Sequence, residues 1–101
     1  MNTDELISHS RARFNHHQAR ITLKEKYQAK LTFAHAGGMW RAGPELLATL
    51  SACPGPTAVI LDLYDTPIQV ESNTFRDTVR THWQEQMNAW LVEYEELNRN
   101  R

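Results

Sequence analysis

Five histidines, a single cysteine and a scatter of carboxylates are the residues of this chain whose chemistry reaches beyond packing. Imidazoles bind divalent metals, and such a metal needs several ligands converging on one point. His16 and His17 are adjacent, so on a helix their side chains diverge by roughly 100°. His9 and His16 lie two helical turns apart, too far to share one ion. His82 and Glu85 have the i, i+3 spacing found in carboxylate-bridged di-metal bundles, but those sites need a second such pair and further glutamates. The chain supplies one pair. Ligand count therefore argues against a metal, no cofactor is expected, and the histidines read as solvated or capping residues.

Nucleophilic chemistry has no better support. Cys53 stands in Ala-Cys-Pro-Gly-Pro at the end of a helical run, whereas a thiol is activated at the positive start of a helix. No serine occupies a Gly-x-Ser-x-Gly elbow. The stretch "GGMWRAGP" lacks the Gly-Lys-Ser/Thr ending of a phosphate-cradling loop. Asp62 and Asp65 flank a turn, where carboxylates are common for turn-forming reasons alone. No catalytic residue is assigned, and the chain reads as a non-enzyme without a small-molecule substrate.

Charge points to partners instead. The net charge of −1 hides a split: residues 1–50 carry seven Lys/Arg against four acids, and residues 51–101 carry four Arg against eight acids. Between His9 and Lys30 there are six Lys/Arg and one Glu, with Phe14 and Tyr27 interleaved. A basic helix of this kind tracks phosphates or meets an acidic protein surface. Its basic residues wrap around the helix instead of forming one stripe, and no zinc finger, zipper or helix-turn-helix accompanies them. An acidic protein partner for Arg11, Arg13, Arg20 and Lys24 is favoured over nucleic acid. One cysteine suits a reducing cytoplasm, and the longest apolar stretch, Ala58 to Leu61, is far too short to span a bilayer. A soluble protein with no membrane partner is expected.

The elements that hold these residues can be read from spacing. A helix is predicted over residues 4–36, free of Gly and Pro, with Ala19, Leu23, Tyr27, Leu31 and Ala34 as its later stripe. Ile7, Phe14 and Ile21 recur every seven residues in its first half. At 1.5 Å per residue this helix would run ~50 Å, against a radius of gyration of ~13 Å for a compact body of 100 residues. Its front half is expected to project and dock on something else. Gly37 and Gly38 read as the helix C-terminus, and Gly43-Pro44 opens a short helix over 44–52. Residues 58–70 read as a hairpin. Val59, Leu61 and Leu63 share one face, Ile60 and Asp62 the other, and Pro67 is confined to an edge or a strand start. Two strands alone are marginal, so one face must lie on the helices unless a partner extends the sheet.

The last helix, predicted over 73–98, carries the stripe Phe75, Val79, Trp83, Met87, Trp90, Tyr94 and Leu97. The first helix, packed antiparallel, would cover much of it and bring the basic helix to Glu93, Glu95 and Glu96. Acids this close to a helix C-terminus oppose its dipole and call for a basic partner. The tail Asn98-Arg99-Asn100-Arg101 reads as frayed. Trp83, Trp90 and Tyr94 are residue types that anchor interfaces. With Met87, and with Met39 and Trp40 from the joint, they are the proposed partner-binding anchors.

Three stretches, "LKEKYQAKLTFAHAGGMWRAGPELLATL", "LDLYDTPIQV" and "HWQEQMNAWLVEYEEL", resemble a small uncharacterised protein family of T4-like phages of marine cyanobacteria. The likeness covers about three-quarters of the chain from Leu23 onward. Such relatives are expected to have a Gly-Asn-type turn where this chain has Asp65-Thr66. The resemblance implies a virion or assembly component present in host cytoplasm and then in the particle, and it brings no catalytic residue. The expectation is thus one α+β domain over residues 1–101. It would be a non-enzymatic tail- or baseplate-associated component that contacts other phage structural proteins or copies of itself. The alternative is a small DNA-binding or host-directed phage regulator that uses the basic first helix.

Overall fold

A computed structural model describes residues 3–99. The architecture is α+β: α1 (Thr3–Lys30), β1 (Thr32–His35), β2 (Gly38–Arg41), α2 (Pro44–Ser51), β3 (Thr57–Leu61), β4 (Pro67–Glu71) and α3 (Ser72–Arg99). The two long helices and the short one stand where periodicity placed them, and the β3–β4 hairpin spans the expected segment. Asn98 and Arg99, expected in a frayed tail, instead form the end of α3, and Asn100 and Arg101 lie outside the described residues.

One boundary differs. The first helix stops at Lys30, not at residue 36, and a second antiparallel hairpin follows it. Leu31 N–H donates the last helical bond to Tyr27, and the Leu31 carbonyl then accepts from Ala42 N–H at 2.9 Å, closing the base of β1–β2. Gly37 and Gly38 are therefore hairpin residues. His35 pairs with Gly38, leaving Ala36 and Gly37 as a two-residue turn with φ of 52° and 84°. Both signs are positive, as the hairpin turn matching the strand twist requires. Gly38 is needed for a different reason. A Cβ there would run into Ile68 Cδ1 and lie 3.1 Å from Asp62 Oδ2, so the β2 backbone packs directly against these side chains of the second hairpin.

The core forms where the hairpins and α2 meet the first turns of α3. Phe75, fully buried, is ringed by Trp40 (centroids 4.9 Å, edge-on), His35 (4.6 Å, stacked) and Phe33 (6.1 Å). Phe33 and Trp40 are cross-strand partners, so the β1–β2 hairpin presents its aromatic face to α3. Trp40 Nε1–H donates to the His35 carbonyl at 2.8 Å, satisfying the one polar atom of a buried ring. Leu31, Ala42, Leu50, Ala58, Ile60, Val70 and Val79 complete the buried cluster. From α3, Arg76 donates to the Leu50 carbonyl at 3.1 Å, adding a second donor to a carbonyl that already accepts from Cys53 N–H at 3.2 Å and tying the end of α2 to α3.

In the second hairpin the face bearing Ala58, Ile60 and Asp62 is buried, and Val59, Leu61 and Leu63 are exposed. The buried carboxylate is stabilised by three backbone donors. Asp62 accepts N–H bonds from Tyr64 (2.9 Å), Thr66 (3.0 Å) and Met39 (3.1 Å). Leu63 N–H returns a bond to the Met39 carbonyl, so the two hairpins are joined at this point. These donors, Thr66 first, hold the Asp62 carboxyl below its ordinary range. Asp65 takes the left-handed conformation (φ 60°) that ends the three-residue loop, one that Asp tolerates better than most residues.

Candidate functional site

Two surfaces stand out, and both depend on how α1 meets α3. The helices pack antiparallel: His82 Nε2 donates to the Lys30 carbonyl (2.7 Å), Tyr27 stacks on Trp90, Lys26 pairs with Glu93 (2.7 Å), and Arg20 lies over the Tyr94 ring (5.6 Å). This is the predicted docking of the basic helix on the acidic end of α3, made through Glu93. Lys26, hydrogen-bonded to Glu93, holds that carboxyl below its ordinary range, and Glu93 raises both Lys26 and the Tyr27 hydroxyl.

The described contacts between the two helices stop with the last described turn of α3. From Tyr94 to its last described turn at Arg99, α3 reaches only to about residue 15 of α1 at equal rise per residue. From Thr3 to Asn15 every described side chain of α1 is exposed. The overhang is ~20 Å long at 1.5 Å per residue. It accounts for overall extents of 66 × 24 × 20 Å and a radius of gyration of 19.4 Å, well above ~13 Å for a compact chain of this length. Leu6, Ile7 and Phe14 are 53, 48 and 63% exposed on it, with Thr3, Ser10 and Arg11 beside them. Phe14 lies roughly 140° around the helix from Tyr27 at 100° per residue. Ile7 lies about 160° from Tyr27 by the same count and Leu6 about 60°, so Ile7 and Phe14 define a face apart from the one that meets α3, with Leu6 between the two.

The second surface is an open groove of about 450 Å³ to which all three tryptophans contribute. Leu61 and Leu63 form one bank, Arg41 and the start of α2 with Leu46 another, and Gln28 closes it from α1. Trp83 and Trp90 are half-buried here. Trp40, proposed as an anchor, is a core residue at 2% exposure and offers a partner little surface. Met39 is half-buried with its backbone committed to Asp62 and Leu63. Tyr94 is half-buried beneath Arg20, and Met87 is exposed on the flank of α3. The proposed anchors therefore do not form one patch. Arg11, Arg13, Arg20 and Lys24 are all exposed, but Arg20 already lies over Tyr94. The groove residues Arg41, Leu46, Leu61 and Leu63 were invisible as a set in the sequence, because they come from separate elements joined only by folding.

Among the described residues no three His, Cys, Asp or Glu side chains converge as a metal set. No helix among them is long and apolar enough to cross a membrane. Neither a family model, nor a curated protein, nor a solved structure matches the chain.

Proposed function

We propose that this chain is a non-enzymatic structural or assembly component of a tailed-phage particle, associated with the tail or baseplate, that acts through protein–protein contacts. The observation that supports it best is the α1 overhang. A helix that presents Leu6, Ile7 and Phe14 to solvent, beyond the reach of α3, leaves apolar area uncovered. Covering it stabilises an assembly by about 25 cal/mol per Å² buried. Arg11 and Arg13 border these residues and favour an acidic partner surface. The phage setting rests on the sequence resemblance, which supplies the class of particle; the overhang supplies the mode of attachment.

The test is to quantify the chain by mass spectrometry in gradient-purified particles of a phage that encodes it. A fixed copy number, lost when Phe14 is replaced, supports the proposal. Absence from particles and from assembly intermediates would sink it. Tight duplex DNA binding that weakens steeply with salt would move the assignment to a DNA-binding regulator.

A further inference from the structure

The β3–β4 sheet has two unlike edges. Asp62 N–H donates to the Thr66 carbonyl and Ser72 N–H to the Pro56 carbonyl, at either end of the register that pairs Leu61 with Pro67 and Thr57 with Glu71. Antiparallel ladders alternate, so Ala58 and Ile60 are the residues bonded to β4. The N–H and C=O groups of Thr57, Val59 and Leu61 point the other way, where among the described residues no strand pairs with β3; past the strand's end the Leu63 N–H is taken by the Met39 carbonyl of β2. The β4 edge is protected: it opens with Pro67, which lacks an N–H, and carries Glu71. The β3 edge, Thr-Ala-Val-Ile-Leu, has no charge, proline or glycine. The side chains of this strand that face outward, Val59 and Leu61, are 67 and 60% exposed.

We propose that β3 pairs with β3 of a second copy of this chain, antiparallel about a two-fold axis at Val59, joining the two hairpins into one four-stranded sheet. A row of unpaired backbone donors and acceptors is satisfied by a strand, not by a helix. A copy turned about Val59 places outward-pointing residues opposite one another, Val59 against Val59 and Thr57 against Leu61. The ladder then continues in phase, with neutral side-chain pairs on the exposed face. A net charge of −1 sets up little repulsion between copies. The same patch serves both partners, so the assembly closes at a dimer. Five paired residues per copy fall short of a standard interface of ~800 Å² per partner, so the dimer is weak and concentration-dependent. It uses none of the α1 overhang and stands or falls apart from the proposed function.

Sedimentation velocity of the full chain over a wide concentration range tests it. The wild type should shift from monomer to dimer as concentration rises. Val59→Lys sets like charges face to face at the axis, and Val59→Pro removes a donor that does not serve β4; both should stay monomeric at concentrations where the wild type is dimeric. An equal mixture of Val59→Lys and Val59→Glu should regain the dimer. Should Val59→Pro fail to fold, the Lys variant carries the test, since that side chain is largely exposed. A wild type that stays monomeric throughout would overturn the proposal, as would a dimer indifferent to Val59→Lys or abolished instead by Phe14→Ala.

Discussion

Tyr27 and Trp90 stack with ring centroids 5.9 Å apart and planes within 6° of parallel. The pair is the midpoint of the α1–α3 contact, between the His82–Lys30 bond at one end and the Arg20–Tyr94 contact at the other. Lys26 and Lys30 flank the Tyr27 ring, each 5.3 Å from its centroid, so the stack sits in a basic surround that Glu93 offsets. Replacing Trp90 by Ala should cost on the order of 2 kcal/mol, less than the ~3–5 of a fully buried aromatic because the ring is half-exposed. Hydrogen exchange should speed up in residues 19–30 of α1 before it does in the hairpins. A variant as stable as wild type, with α1 equally protected, would mean that the stack does not hold the helix.

Gly37 and Gly38 adjoin in sequence but have different jobs, and substitution separates them. Gly37 faces open space and needs only its positive φ, so Gly37→Ala should cost about 1 kcal/mol, the strain of a left-handed residue. Gly38→Ala drives a Cβ into Ile68 and against Asp62, and should cost about 1–3 kcal/mol through overpacking. Urea denaturation of both variants measures the difference. Equal losses would show that β2 can move off the second hairpin without penalty.

Asp62 makes stability depend on acid. Its carboxyl titrates lower in the folded chain than the ordinary value of 3.8, because three N–H groups favour the ionised form. A depressed folded pKa means that its contribution is fully present above the unfolded value and is lost as pH falls through the folded one. Glu93 has the same sign, through Lys26. Urea midpoints should therefore be level between about pH 7 and 5 and fall below about pH 4, where carboxylates of ordinary pKa titrate. Asp62→Asn should lower the neutral plateau and make the acid limb shallower. An acid limb as steep as wild type in that variant would place the dependence on other groups.

The sequence made some of this legible and hid the rest for physical reasons. The α3 stripe and the β3–β4 hairpin follow from periodicity, and projection of α1 follows from comparing one helix length with the size of a compact body. The β1–β2 hairpin is hidden in the sequence because its turn is Ala36-Gly37, without the Asn-Gly or Asp-Gly that marks two positive φ values. Helix formers run almost up to it, and Gly-Gly after such a run looks like a helix end. Thr32 and Phe33 before the turn and Met39-Trp40 after it were the available strand signal. In β3, alternation separated two faces but did not say which is inside. The face with more large apolar residues is the exposed one. Asp62 can go inside because backbone donors from two hairpins converge on it, and no local pattern reveals a partner more than twenty residues away in Met39.

Two phenylalanines separate stability from attachment. Phe75 is fully buried within the ring of Phe33, His35 and Trp40, so Phe75→Ala should cost ~3–5 kcal/mol, a large share of the total stability of so small a domain. Phe14 is 63% exposed on the overhang, and Phe14→Ala should leave stability within ~0.5 kcal/mol of wild type. If the overhang is the attachment surface, the same substitution should remove the chain from its assembly while thermal melts hardly move. The two readouts make the outcome decisive. A Phe14 variant that melts like wild type and still assembles at full copy number would show that α1 projects without docking through this face.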